Sequence, residues 1–170
     1  MSTQMADPFQ GMVSFQKGLR AGILELGLVP MQQDLYSHFD IPAPGVNRLA
    51  YVRLTEDRRT VKAFLSCIMN GQVEGSPCIA VGYAVPEDMR NQGFAKQIFR
   101  DVIQDQIFQA GRGRHTAVYI EAVADVTNLP SQRVAEAVLG VVRESITDSA
   151  SSRPAYRYTA HFDTAPGRQL

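Results

Sequence analysis

The sequence predicts an α/β (α+β) domain in which helices cover a largely antiparallel sheet. Two observations lead there. Helical and strand-like hydrophobic periods alternate along the chain, and most of the strand-like stretches are joined by turn-rich connections too short for a crossover.

Residues 1–8 read as a loose arm. Residues 8–26 repeat apolar side chains at three- and four-residue steps, with Met12, Phe15, Leu19 and Ile23 among them, and read as a helix stopped by Gly27. Residues 31–39 read as a second short helix, and 41–45, with two prolines and a glycine, as a loop. The period then becomes two. Residues 48–54, 61–69 and 78–85 read as strands, separated by polar turns at 56–59 and 70–77. Residues 93–110 form an amphipathic helix. Its apolar stripe is Ile98, Phe99, Val102, Ile103 and Ile107, with Arg100, Asp101, Gln104 and Asp105 facing away and Gly111 ending it. A strand at 116–124, a helix at 131–139, strands at 141–146 and 156–162 and a loose tail at 163–170 complete the order.

The chain has 170 residues, enough for one domain with a sizeable core. Lys and Arg total 17 and so do Asp and Glu, so the net charge is zero, and no strongly basic surface of the kind nucleic acid requires is expected. The most apolar early stretch, 11–30, is broken by Lys17, Arg20 and Glu25, which argues against a membrane span, and residues 1–8 lack the positive start followed by an apolar block that a signal peptide has. Cys67 and Cys78 lack metal-ligand spacing. They read as reduced, buried side chains of a cytoplasmic protein, the alternative being a disulfide between adjacent strands. His38, His115 and His161 are too scattered for a metal site.

The informative junction is at 85–96. A strand ends at Val85, and a helix begins beyond a turn of Arg90, Asn91, Gln92 and Gly93. The first amides of a helix have no intrahelical partner and favour anions, phosphates above all. Gly93 lets backbone approach closely, and Arg90 and Lys96 add positive charge. The chemistry reads as a diphosphate cradle. A plain strand–turn–helix connection is the competing reading.

Arg90, Asn91, Gln92, Gly93, Phe94 and Ala95 resemble the Arg/Gln-x-x-Gly-x-Gly/Ala motif of the GNAT superfamily, the acyl-CoA-dependent N-acyltransferases. Downstream, Asn128, Leu129, Pro130 and Ser131, followed by Gln132 and Arg133, resemble the branch that acetylates ribosomal-protein N-termini. Together these stretches span roughly residues 48–162. The resemblance implies a sheet with helices on both faces and a splayed parallel strand pair, here 78–85 and 116–124. It implies acetyl-CoA as cofactor, with the diphosphate on the amides of Arg90, Asn91, Gln92, Gly93, Phe94, Ala95 and Lys96. The pantetheine arm would lie along Ala84 and Val85, with Asn128 and Ser131 on its other side.

The acceptor implied is a primary amine: a protein N-terminus, a lysine or a small amine. Such an amine, with a pKa of about 10.4, needs a base, and Glu121 is the candidate. An outward-facing carboxylate, or one paired with an arginine, is the alternative. The backbone N–H of Val85 would serve the thioester oxygen. The family's usual tyrosine acid falls on Ala135 and is absent, so Ser131 is read either as proton donor or as a helix N-cap. Tyr83 could line the acceptor pocket or simply pack. Arg112 and Arg114 could reach the cofactor's 3′-phosphate or sit in a solvated turn. The missing tyrosine leaves a second function open, a non-catalytic acyl-CoA-binding or regulatory module, and a homodimer also stays open. Neither a nucleic acid nor a membrane is an expected partner.

Overall fold

The computed structural model describes residues 7–165 and 169–170. Most of the arm expected at 1–8, and residues 166–168 of the expected tail, lie outside the described residues. The elements run α1 (Pro8–Ala21), β1 (Gly27–Leu28), β2 (Tyr36–Ala43), β3 (Val46–Leu54), β4 (Val61–Val73), β5 (Ser76–Ala84), α2 (Phe94–Arg112), β6 (Ala117–Asp125), α3 (Leu129–Leu139), β7 (Glu144–Thr147) and β8 (Pro154–Asp163). Among the described residues the eight strands form one sheet in the order β1-β2-β3-β4-β5-β6-β8-β7. Every neighbouring pair is antiparallel except β5 and β6.

The first helix is shorter than expected. Asp7 caps α1 by accepting a hydrogen bond from the Phe9 amide at 3.0 Å. Gly22 then takes φ +69°, and the chain turns back so that Leu24 packs against Gly18. Ile23 extended the apolar period but is 74% exposed, so Gly22 rather than Gly27 is the stop. The helix expected at 31–39 does not form. Met31 and Asp34 have positive φ, and Tyr36 begins β2, which pairs with β3 from Tyr36↔Val52 onward. Cross-strand pairing overrides the four-residue spacing of Met31, Leu35 and Phe39. The loop expected at 41–45 shrinks to Pro44 and Gly45, because β2 runs on to Ala43. The turn expected at 70–77 shrinks likewise to Glu74 and Gly75, both at positive φ as a two-residue hairpin turn requires. The last helix begins at Leu129 rather than Ser131, and α2 runs through Gly111 to Arg112.

Helices cover both faces. On one face α1 packs Met12 and Phe15 against Tyr36, Ala50, Val52 and Phe64. On the other, α2 and α3 bury Ile98, Phe99, Val102, Ala135 and Leu139 against Leu65, Val81, Ile120, Ala122 and Tyr158. Asp105 does not face away as expected. It is 3% exposed and accepts a hydrogen bond from the Tyr51 hydroxyl, which in turn accepts one from Gln106 Nε2 at 2.7 Å. A buried carboxylate is tolerable when it is bonded in this way. Cys67 and Cys78 are free and buried. Cys67 pairs with Val81 across the strands, so the disulfide alternative is excluded. Gln169 is bridged to Phe162, and the Leu170 amide donates to the His161 carbonyl at 2.6 Å, so the described end of the chain is held rather than loose. Among the described residues no helix is long and apolar enough to cross a membrane.

The feature that positions the site is the parallel pair. β5 and β6 pair from Cys78↔Tyr119 to Val81↔Ala122 and no further. Beyond that point β5 stays with β4 as far as Ala84↔Phe64, while β6 stays with β8 as far as Asp125↔Ala155. The two strands therefore part, leaving a notch in the middle of the sheet.

Candidate active site

The notch opens into a cleft of about 1650 Å³. Its walls are the ends of β5 and β6, the turn before α2, the N-terminus of α3 and the connection from β7 to β8.

One side of the cleft is cationic. Gly93 takes φ +80° and caps α2 without any side-chain hydrogen bond, so the first amides of α2 are left to whatever enters the cleft. A Cβ at Gly93 would meet no protein atom within 4 Å. The glycine is thus required by its φ, not by crowding from the protein. Arg90, Asn91, Gly93, Phe94, Ala95 and Lys96 line the cleft beside Ala84 and Val85; Gln92 does not. Arg90 Nε donates to the Val85 carbonyl at 3.4 Å, tying the turn to the strand end. Lys62 Nζ sits 4.6 Å above the Phe94 ring. Arg133, passed over in the sequence as a cofactor residue, also lines the cleft. Arg112 and Arg114 do not reach it. Arg112 is the last residue of the 19-residue α2 and Arg114 follows it, so both lie about 27 Å from the first turn at 1.5 Å per residue.

The side facing away from α2 carries Glu121. Its carboxylate accepts from Asn70 Nδ2 on β4 at 3.4 Å and lies 4.0 Å from the Cys78 thiol on β5. Burial raises its pKa from the ordinary glutamate value. Arg157 pulls it down and Glu144 pushes it up. Arg157 forms its ion pair with Glu144, at 2.9 Å, so Glu121 feels an arginine without being bonded to it. The same surroundings push the Cys78 thiol up to about 11, chiefly through burial.

The third group joins β5 to α3. Asn128 is the N-cap of α3, its Oδ1 accepting from the Ser131 amide at 3.2 Å. Ser131 is therefore not the cap, which corrects that reading; asparagine caps as well as serine, and it comes first. The Ser131 hydroxyl instead donates to Tyr83 Oη at 3.3 Å, and Tyr83 Oη donates to the Ser131 carbonyl at 2.7 Å. The Tyr83 ring packs on Phe99 with centroids 5.3 Å apart. Burial pushes the hydroxyl up to about 12, while bonds from Ser131 and the Ala135 amide act downward. The helix position where the resemblance places a tyrosine holds Ala135, yet a tyrosine hydroxyl from the neighbouring strand lies against that same turn. A strand tyrosine just before the junction at 85–96 is the only signal for this in the sequence.

No protein-family model and no curated protein matches the chain. Solved structures match its fold, and that fold is the one shared by the GNAT acetyltransferases. The ribosomal-protein-S5-alanine acetyltransferase of Vibrio fischeri aligns with a TM-score of 0.53 at 16% identity, over 71% of this chain and 64% of its own. A Salmonella typhimurium acetyltransferase that modifies the N-terminal serine of ribosomal protein L7/L12 aligns at 17% identity and a TM-score of 0.49, over 68% and 64%. A GNAT-family acetyltransferase of Bacillus anthracis aligns at 15% and 0.48, over 65% and 64%. This chain thus matches just under two thirds of the length of each. The likeness establishes the fold, and the Vibrio fischeri structure carries that statement.

Proposed function

We propose that this protein is an N-acyltransferase that moves acetyl from acetyl-CoA to a primary amine by direct attack on the thioester. The observation that supports it is one cleft holding an uncapped helix N-terminus, a parted parallel strand pair and a half-buried carboxylate. The donor set fits a diphosphate: free amides at a positive helix end, flanked by Arg90, Lys96 and Arg133.

Bound acetyl-CoA supplies an activated acyl group. The chain's own residues do the rest. The amides of the 90–96 turn hold the diphosphate, and Ala84 and Val85 flank the pantetheine arm. The Val85 N–H is the donor for charge growing on the thioester oxygen, fixed in advance by the strand end. Glu121 takes the proton of the attacking amine. Its raised pKa moves a carboxylate towards the value a base needs near neutral pH. Tyr83 keeps its proton at neutral pH and, oriented by Ser131, holds it for the departing thiolate. Ser131 is thereby a positioning residue for Tyr83 as well as a donor.

Tyr83→Phe retains the ring packing on Phe99 and loses only the hydroxyl. We expect kcat to fall about 10²-fold or more, the scale of one positioned proton donor, with coenzyme A affinity unchanged. Stopped-flow rates and a binding titration on the same preparation check this; equal losses in both would place Tyr83 in packing alone.

The reading is tested by following free thiol released from acetyl-CoA across a panel of peptides, lysine derivatives and small amines. Amine-dependent thiol release is expected for at least one class. Tight binding with no release across the panel would favour the non-catalytic acyl-CoA module instead.

A further inference from the structure

Glu121 is one member of a polar row whose side chains come from β4, β6, β8 and β7, reaching across β5. In the β6–β8 ladder Glu121 lies opposite Thr159, and Val123 lies opposite Arg157, which makes Arg157 a diagonal neighbour of Glu121 on the same face. Diagonal neighbours are within reach of long side chains. In the β8–β7 ladder Arg157 lies directly opposite Glu144, and its Nη2 and Nε both reach Glu144 Oε2, at 2.9 and 3.3 Å. From β4, Asn70 donates to the other end of the row, on Glu121 Oε1. The order in space is Asn70, Glu121, Arg157, Glu144.

We propose that Arg157 and Glu144 are positioning residues that set the ionisation of Glu121: Arg157 holds the carboxylate charged, and Glu144 limits how strongly it does so. The catalytic consequence rests on the transferase reading above; the electrostatic arrangement does not.

The remaining groups around Glu121 are of a different kind. Cys78 on β5 contacts it but stays a neutral thiol, held up by burial. On the opposite diagonal His161 is stacked on Tyr119, with centroids 4.2 Å apart and planes 4° apart. Farther along β6, Asp125 is paired with Arg153 at 3.0 Å. The cation next to Glu121 is therefore Arg157, and its counter-charge is Glu144. The directions follow from Coulomb's law. Removing the arginine takes away attraction for the charged carboxylate, and the pKa of Glu121 rises. Removing Glu144 takes away a repelling charge and leaves the arginine uncompensated, and the pKa of Glu121 falls.

The test is a carbon-13 NMR titration of the Glu121 carboxyl in the resting protein, in wild type, Arg157→Gln and Glu144→Gln. Glu144 sits on the edge strand β7 and Arg157 on β8 beside it, with side-chain relative exposures of 62% and 36%, so neither variant opens the core. We expect the Glu121 midpoint to move up in Arg157→Gln and down in Glu144→Gln. The acid limb of the kcat/KM profile should move with it, while the KM for acetyl-CoA stays constant. Midpoints that do not move, or that move in the same direction in both variants, overturn the proposal. Because the NMR readout needs no turnover, opposite shifts in a protein that transfers nothing would uphold this arrangement while the transferase reading fell.

Discussion

Glu121→Gln is expected to lower kcat by about 10²- to 10⁴-fold, the usual range for a positioned base, while leaving the affinity for coenzyme A unchanged. The glutamine keeps the shape and the Asn70 contact but cannot take a proton. The same substitution should stabilise the protein, and only above acid pH. Burial first, and Glu144 after it, raise the folded-state pKa of Glu121, and Arg157 only partly offsets them. In the unfolded chain the value is about 4.3. Between the two values the folded state binds more protons, so stability falls as pH rises through that window. What Glu121 contributes is present below the unfolded value and is lost as pH passes the folded one. Glutamine does not incur that loss. Melting curves should therefore show Glu121→Gln above wild type at pH 8 and level with it at pH 4. A gain in stability paired with a loss of activity is the pattern of a residue kept for chemistry. A lower melting temperature at pH 8, or equal losses in turnover and cofactor binding, would remove Glu121 from the role.

Gly93→Asp should abolish cofactor binding. At a hundred times its dissociation constant a ligand selective for the folded state adds about 2.7 kcal/mol, or roughly 5–10 °C in a protein of this size. Wild type should show that shift with acetyl-CoA. Aspartate at the cap of α2 acts against it in two ways. Its carboxylate accepts from the amides that the diphosphate needs, and its charge repels the ligand. Asparagine competes for the amides without the charge, so Gly93→Asn should fall between the two. Each variant carries the strain of a non-glycine residue at φ +80°, about 1–3 kcal/mol, which lowers the baseline equally and leaves the ligand-dependent shift readable. A full shift in Gly93→Asp would mean that the ligand is held elsewhere.

Local patterns carried much of this into the sequence. The stripe of α2, the apolar runs of β4, β5 and β6 and the turn at 90–93 each depend on neighbours a few residues apart, and each was legible. The second strand was not. Met31, Leu35 and Phe39 are spaced like helix residues, and only the pairing of Tyr36–Ala43 with β3 puts Phe39 in a strand. Hairpin tips were read too long at 41–45 and 70–77, because glycine and polar residues mark a turn without saying how tight it is. In the site, the 90–96 turn was visible because it is contiguous. Asn70, Arg157 and Glu144 reach Glu121 only through the register of β4, β7 and β8, and Tyr83 meets Ser131 only because β5 and α3 converge. Nothing in their sequence neighbourhoods announces those meetings.

The central claim is that the amides opening α2 grip a diphosphate, and titration calorimetry of coenzyme A into wild type and Gly93→Asp tests it most directly. Two temperatures should be used, so that a vanishing enthalpy at one is not taken for absence of binding. The account predicts saturable one-site heat in wild type and none in Gly93→Asp. No heat at either temperature from folded wild type, or the same isotherm from both proteins, would contradict it.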